Sequence, residues 1–146
     1  MIDGCLDYCN GLLYGTSAAN MHKLLQVQNY MALAVTNSRR NEHVKHVLVS
    51  LHWLPVEYRV QFKIAVTTLK VLTTQEPSYL SELIWLHTPS HHLRSSGCNR
   101  LQQHRAKLAF ADRVICRAAP AVWNSLPQSI TPDNSCFTSF KRWLKT

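Results

Sequence analysis

Residues 50–63 read SLHWLPVEYRVQFK, and the fold turns on how they are read. From 56 to 66 the apolar residues fall at 56, 58, 60, 62, 64 and 66. That alternation is the pattern of a half-buried strand. Yet Tyr58, Phe62, Ala65, Leu69 and Leu72 also form a helical stripe, and the pattern continues to about residue 73. A run of that length is long for a strand and ordinary for a helix. Pro55 suits the first position of a helix, where its missing N–H costs nothing. The stretch therefore predicts a helix over 56–72. SLHWLP becomes a packed turn that aims it, with Leu51, Trp53 and Leu54 as anchors. Arg59, Lys63 and Lys70 share the face of this helix beside the apolar one.

Working outward, residues 17–36 predict a second helix. Met21, Leu24, Leu25, Gln28, Met31, Ala32 and Val35 follow one face, and Ser17 or Asn20 caps the start. A polar turn follows. Val44, Val47, Leu48 and Leu51 then have helical spacing in a short element over 43–54. After Pro77 a short helix is expected over 78–86, with Leu80, Leu83, Ile84 and Tyr79 as inward candidates. Residues 87–100 read as a loop and 101–111 are ambiguous. A helix over 112–119 is expected to stop at Pro120, with Trp123 anchoring the segment before Pro127. The last helix spans 135–145, with Phe137, Phe140 and Leu144 on one face. Lys141, Arg142 and Lys145 lie near its C-terminal end, where cations are favoured.

A chain of 146 residues is one ordinary domain in size. With 46% hydrophobic and 16% charged residues it is able to pack a core. Sixteen Lys and Arg stand against eight Asp and Glu, for a net charge of +8. Such a balance favours an anionic partner. The charge is uneven. Residues 94–117 hold six bases (Arg94, Arg100, Arg105, Lys107, Arg113, Arg117) and one acid, Asp112. The longest apolar run, 30–35, is six residues, and a membrane span needs about 20. The first residues, MIDGCLDYCN, lack the basic start and apolar run of a secretory signal. Five cysteines at irregular spacing read as reduced thiols. The expected location is intracellular, nuclear or cytoplasmic, and not secreted.

Enzymatic motifs are weak. Asp3 and Asp7 share a helical spacing, but two solvated carboxylates near a terminus are the simpler reading. Cys5 and Cys9 with His43 and His46 offer zinc-type ligands. The two histidines, however, are separated by two residues, fewer than the three to five of structural sites. Cys98 beside His91 or His92 has no orienting motif for a nucleophile. The four glycines form no phosphate-cradling loop, so no cofactor and no small-molecule substrate are expected. The basic block is the strongest signal, because Arg and Lys neutralise phosphates without reading sequence. Trp53 and Trp123 are expected to be core residues and not base-stacking ones.

Seven blocks carry a resemblance. They are LDYCNGLLYG (6–15), KLLQVQN (23–29), LVSLHWLPVEYRVQFKI (48–64), PSYLSELI (77–84), LRSS (93–96), DRVICRAAPAVWNSLP (112–127) and FTSFKRWLK (137–145). In order and rough spacing they resemble the C-terminal, post-palm region of reverse transcriptases from non-LTR (LINE-type) retrotransposons, and together they span nearly the whole chain, from 6 to 145. The resemblance implies a mostly helical, thumb-like segment beside the template–primer duplex. It also implies that the catalytic aspartate pair belongs to a palm outside this sequence, where no two acids are adjacent. Polymerase chemistry needs carboxylates holding two metal ions, so no enzymatic activity is expected. The start at Met1, shortly before the first block, fits a reading frame salvaged from a decayed copy.

The expectations are a mostly α fold of four or five helices, in a single domain or domain fragment, with an irregular basic connector over 87–111. The expected function is weak, sequence-independent binding of RNA–DNA or DNA duplex. Arg94, Arg100, Arg105, Lys107, Arg113 and Arg117 are the primary residues, with Arg59 and Lys63 as a second set. The alternatives are a helical protein-interaction module, self-associating through exposed apolar faces, and an inert remnant.

Overall fold

The computed structural model describes residues 7–39, 42–89, 99–105, 109–127, 139–141 and 144. These residues are mostly helical, with four helices of seven or more residues and no strand. They divide into two compact units, Met1–Gln61 and Phe62–Thr146.

In the first unit a 3-10 turn, Asn10–Leu13, precedes helix α1, Ala18–Thr36. Ser17 caps α1 by accepting the Asn20 N–H on its hydroxyl at 3.4 Å, which satisfies one of the orphan donors of the first turn. Helix α2, Val44–Ser50, packs on α1. Ala32 and Leu33 meet Val47 and Leu48, and Val44, Leu51 and Trp53 close over them. Fully burying each Val or Leu stabilises by roughly 1.5–3 kcal/mol, so this cluster holds the helix pair together.

The SLHWLP turn has a definite geometry. His52 is left-handed at φ 54°. Its N–H reaches the Val49 carbonyl at 3.0 Å, and the Trp53 N–H reaches Leu48 at 2.8 Å. This pair of bonds is a Schellman motif, closed by the hydrophobic contact of Trp53 with the cluster below. Leu51 and Trp53 are therefore anchors, as the sequence indicates.

Helix α3, Val56–Thr74, answers the strand-or-helix question and runs two residues beyond its predicted end. Its start is held by Gln28 of α1, which is fully buried. The Gln28 Nε2 donates to the Leu54 carbonyl at 2.8 Å, and its Oε1 accepts the Val56 N–H at 3.0 Å. One side chain thus satisfies both an orphan helix donor and the carbonyl before it.

The apolar row of α3 differs from the predicted stripe. Val56, Val60, Ile64, Thr68 and Val71 are buried, with Ala65 and Leu69 beside them, while Tyr58 is exposed. The row keeps half of the apparent strand alternation, because 56, 60 and 64 are spaced one helical turn apart. Thr68 tolerates its burial by donating its hydroxyl to the Ile64 carbonyl at 2.8 Å.

In the second unit α3 ends at Gln75, left-handed at φ 55°, whose N–H reaches the Val71 carbonyl at 2.9 Å. Helix α4 is only Ser78–Ser81, shorter than the expected 78–86. Ile84 is buried, but Tyr79 and Leu83 are exposed. The chain leaves the helix because residues 85–87 pair instead with 100–102. Leu86 bridges Leu101 in antiparallel fashion. A 3-10 turn, Ala109–Arg113, then leads into helix α5, Ile115–Ser125.

Pro120 does not stop α5, as the sequence had suggested; it lies inside the helix and is fully buried. A helix-interior proline costs about 3 kcal/mol. The burial of Ala118, Ala119, Val122 and Trp123 on one face, together with hydrogen bonds made by Trp123 and Asn124, offsets that cost. Phe140, in the described helical turn 139–141, is buried with its ring 5.9 Å from that of Trp123. Leu144 is a half-buried turn residue whose N–H reaches the Phe140 carbonyl at 3.1 Å, and the other residues of the expected last helix, including Phe137, Arg142 and Lys145, lie outside the described residues.

Candidate nucleic-acid interface

Charge separates the two units. Residues Phe62–Thr146 hold eleven of the sixteen Lys and Arg and four of the eight Asp and Glu, and so +7 of the net +8.

Arg100 and Arg105 are exposed on the segment 99–105. Three hydrogen bonds from α5 pin that segment. The Asn124 Oδ1 accepts the Leu101 N–H, and its Nδ2 donates to the Leu101 carbonyl, both at 2.9 Å. The Trp123 Nε1 donates to the Asn99 carbonyl at 2.9 Å. Leu101 itself is buried. The basic connector is thus fixed at 99–102, and Arg100 projects from that held backbone, with Arg105 exposed three residues beyond it. Sequence reasoning identified Trp123 as an anchor but missed Asn124. The adjacent Trp–Asn pair on a helix that buries alanines was the available signal.

The other predicted cations stand differently. Arg117 pairs with Asp112, its Nη2 lying 2.8 Å from the Oδ1. Arg113 lies over the Phe110 ring at 5.4 Å, with its Nε buried and lacking a hydrogen-bond partner. Arg94 and Lys107 lie outside the described residues. Lys63 is exposed on α3.

Arg59 belongs to the first unit and is engaged there. Its side chain is only 12% exposed. The Nε donates to the Leu54 carbonyl at 2.9 Å, Nη1 meets the Asp7 Oδ1 at 3.2 Å, and the guanidinium lies 5.9 Å over Trp53. These contacts use it to hold the turn before α3. Asp7 is 52 residues away in sequence, so no local pattern announced the pair.

Among the described residues no three His, Cys, Asp or Glu groups gather as a cation site. His43 and His46 meet edge to face at 6.4 Å, Cys9 is exposed, and Cys5 lies outside the described residues. Among the described residues no helix is long and apolar enough to cross a membrane. The first unit also carries a half-open cleft of about 720 Å³, lined by Met21, Leu25, Val44, Leu48 and Tyr58 with Lys45 and Glu57 among its polar groups. No family model, no curated protein and no solved structure matches this chain.

Proposed function

We propose that this chain is a non-catalytic helical segment derived from a LINE-type reverse transcriptase, binding template–primer duplex weakly and without sequence preference. The observation that carries this reading is the pinned stretch 99–102, with Arg100 exposed on a backbone clamped by Trp123 and Asn124 and Arg105 exposed three residues beyond it. The order of the seven sequence blocks supports the ancestry. The concentration of +7 in one unit supports an anionic partner. Such binding is electrostatic, so its affinity falls with salt by about 0.9 log unit per log unit for each contacted phosphate of duplex DNA.

Fluorescence anisotropy with a labelled RNA–DNA hybrid and a matched DNA duplex, across a salt series, tests the reading. Submicromolar affinity at low salt with a steep slope is expected, equal for unrelated sequences. Negligible affinity, or a flat slope, removes nucleic acid as the partner. A second reading, a protein-interaction module, is favoured by the apolar cleft of the first unit. It predicts concentration-dependent self-association in sedimentation velocity.

A further inference from the structure

The bridge between Leu86 and Leu101 sorts its neighbours by face. The His87 N–H donates to the Arg100 carbonyl at 2.8 Å, and the Gln102 N–H donates to the Trp85 carbonyl at 2.9 Å. Trp85 therefore opposes Gln102, and His87 opposes Arg100. Side chains alternate across an extended pair. The buried Leu101 points one way, and Trp85, His87, Arg100 and Gln102 share the other face. All four are exposed, Trp85 by 57%. An indole that open on a basic unit is not a core residue. Its N–H is already bound to the Glu82 carbonyl, so the ring is oriented before any ligand arrives, and little rotamer freedom remains to be lost.

We propose that this face binds an unpaired nucleotide at the end of a strand, with the Trp85 ring stacking on the base and the Arg100 guanidinium holding a neighbouring phosphate. The proposal rests on the nucleic-acid reading above and sharpens it. Within a duplex each base face is covered by its neighbours, so an aromatic platform gains contact only where a base is unstacked. Arg100 is diagonal to Trp85 across the pair, at a spacing of about 7–8 Å that long side chains span. The +7 of this unit supplies charge complementarity to a strand. His87 and Gln102 add hydrogen-bonding groups on the same face.

The test compares a blunt RNA–DNA hybrid with the same hybrid carrying a five-nucleotide single-stranded overhang. Wild-type protein is expected to prefer the overhang roughly tenfold, the size of one stacked base. Trp85→Ala abolishes the preference and leaves blunt-end binding and its salt slope unchanged. Trp85→Phe retains most of the preference, because the ring remains while the indole N–H is lost. Circular dichroism confirms that both variants fold. Equal affinity of wild-type protein for the two probes overturns the stacking platform while leaving duplex binding intact. Absence of binding to either probe overturns the nucleic-acid reading and the platform with it.

Discussion

Among the described residues, three helices end on a left-handed residue that is not glycine: Asn37 after α1, His52 after α2 and Gln75 after α3. The chain has only four glycines, and none stands at these ends. A left-handed residue with a Cβ is strained by roughly 1–2 kcal/mol, and asparagine relieves part of that through its own short polar side chain. His52 has less relief, and its position sets the direction of α3. His52→Gly should therefore raise stability by about 1 kcal/mol, read as a higher urea midpoint at unchanged slope. His52→Val should lower it by more than that, since a β-branched residue tolerates positive φ poorly. If His52→Gly lowers the midpoint instead, the Schellman geometry at this turn is not what fixes the helix entry. The same scale explains Gln28. In sequence it sits within an apolar stripe and looks like a polar intruder; in the fold its amide completes the start of α3.

At the scale of elements, the sequence was most legible where periodicity was long. Helices α1 and α3 were both readable; α1 starts after Ser17 as read, while α3 begins at Val56, with Pro55 one residue before the first helical position. Periodicity failed where tertiary contacts outweighed local preference. Pro120 argued for a helix end, yet α5 runs through it because its buried face and its polar tip both gain from continuing. The predicted helix over 78–86 gave way to the bridge with Leu101, a pairing that no local pattern announces. The candidate site was half legible. Charge clustering singles out Arg100 and Arg105 as candidates, but not the Asn124 amide that pins Leu101 beside Arg100, because a single Asn carries no period. Asn124→Ala leaves the buried Leu101 N–H and carbonyl without partners. It should cost about 2–6 kcal/mol, from an unsatisfied-group penalty of about 1–3 kcal/mol for each. Amide exchange should show protection lost first at Leu101 and its neighbours. A loss below about 0.5 kcal/mol in urea unfolding argues that water replaces the clamp, and that the basic segment is not held by α5.

At the scale of the whole molecule, the described arginines divide by what their guanidiniums already do. Arg59 is drawn into the turn before α3 by a carbonyl, a carboxylate and an indole, so its charge is largely used in holding the fold. Arg100 is exposed on a backbone fixed without its side chain, and Arg105 is exposed just beyond that stretch. Stability and affinity should therefore respond to different substitutions. Arg59→Ala removes a charged hydrogen bond and packing against Trp53, and is expected to cost about 1–2 kcal/mol in urea unfolding. The salt slope of duplex binding should stay as in the wild type. Arg100→Ala combined with Arg105→Ala should leave stability within about 0.5 kcal/mol, while the salt slope becomes shallower by about two, one for each lost phosphate contact. The two readouts need only one protein preparation each and the same duplex. A crossed result, with Arg59→Ala flattening the slope and the double variant leaving it steep, would move the nucleic-acid contact to the first unit. It would make the charge concentration in the second a matter of solubility alone.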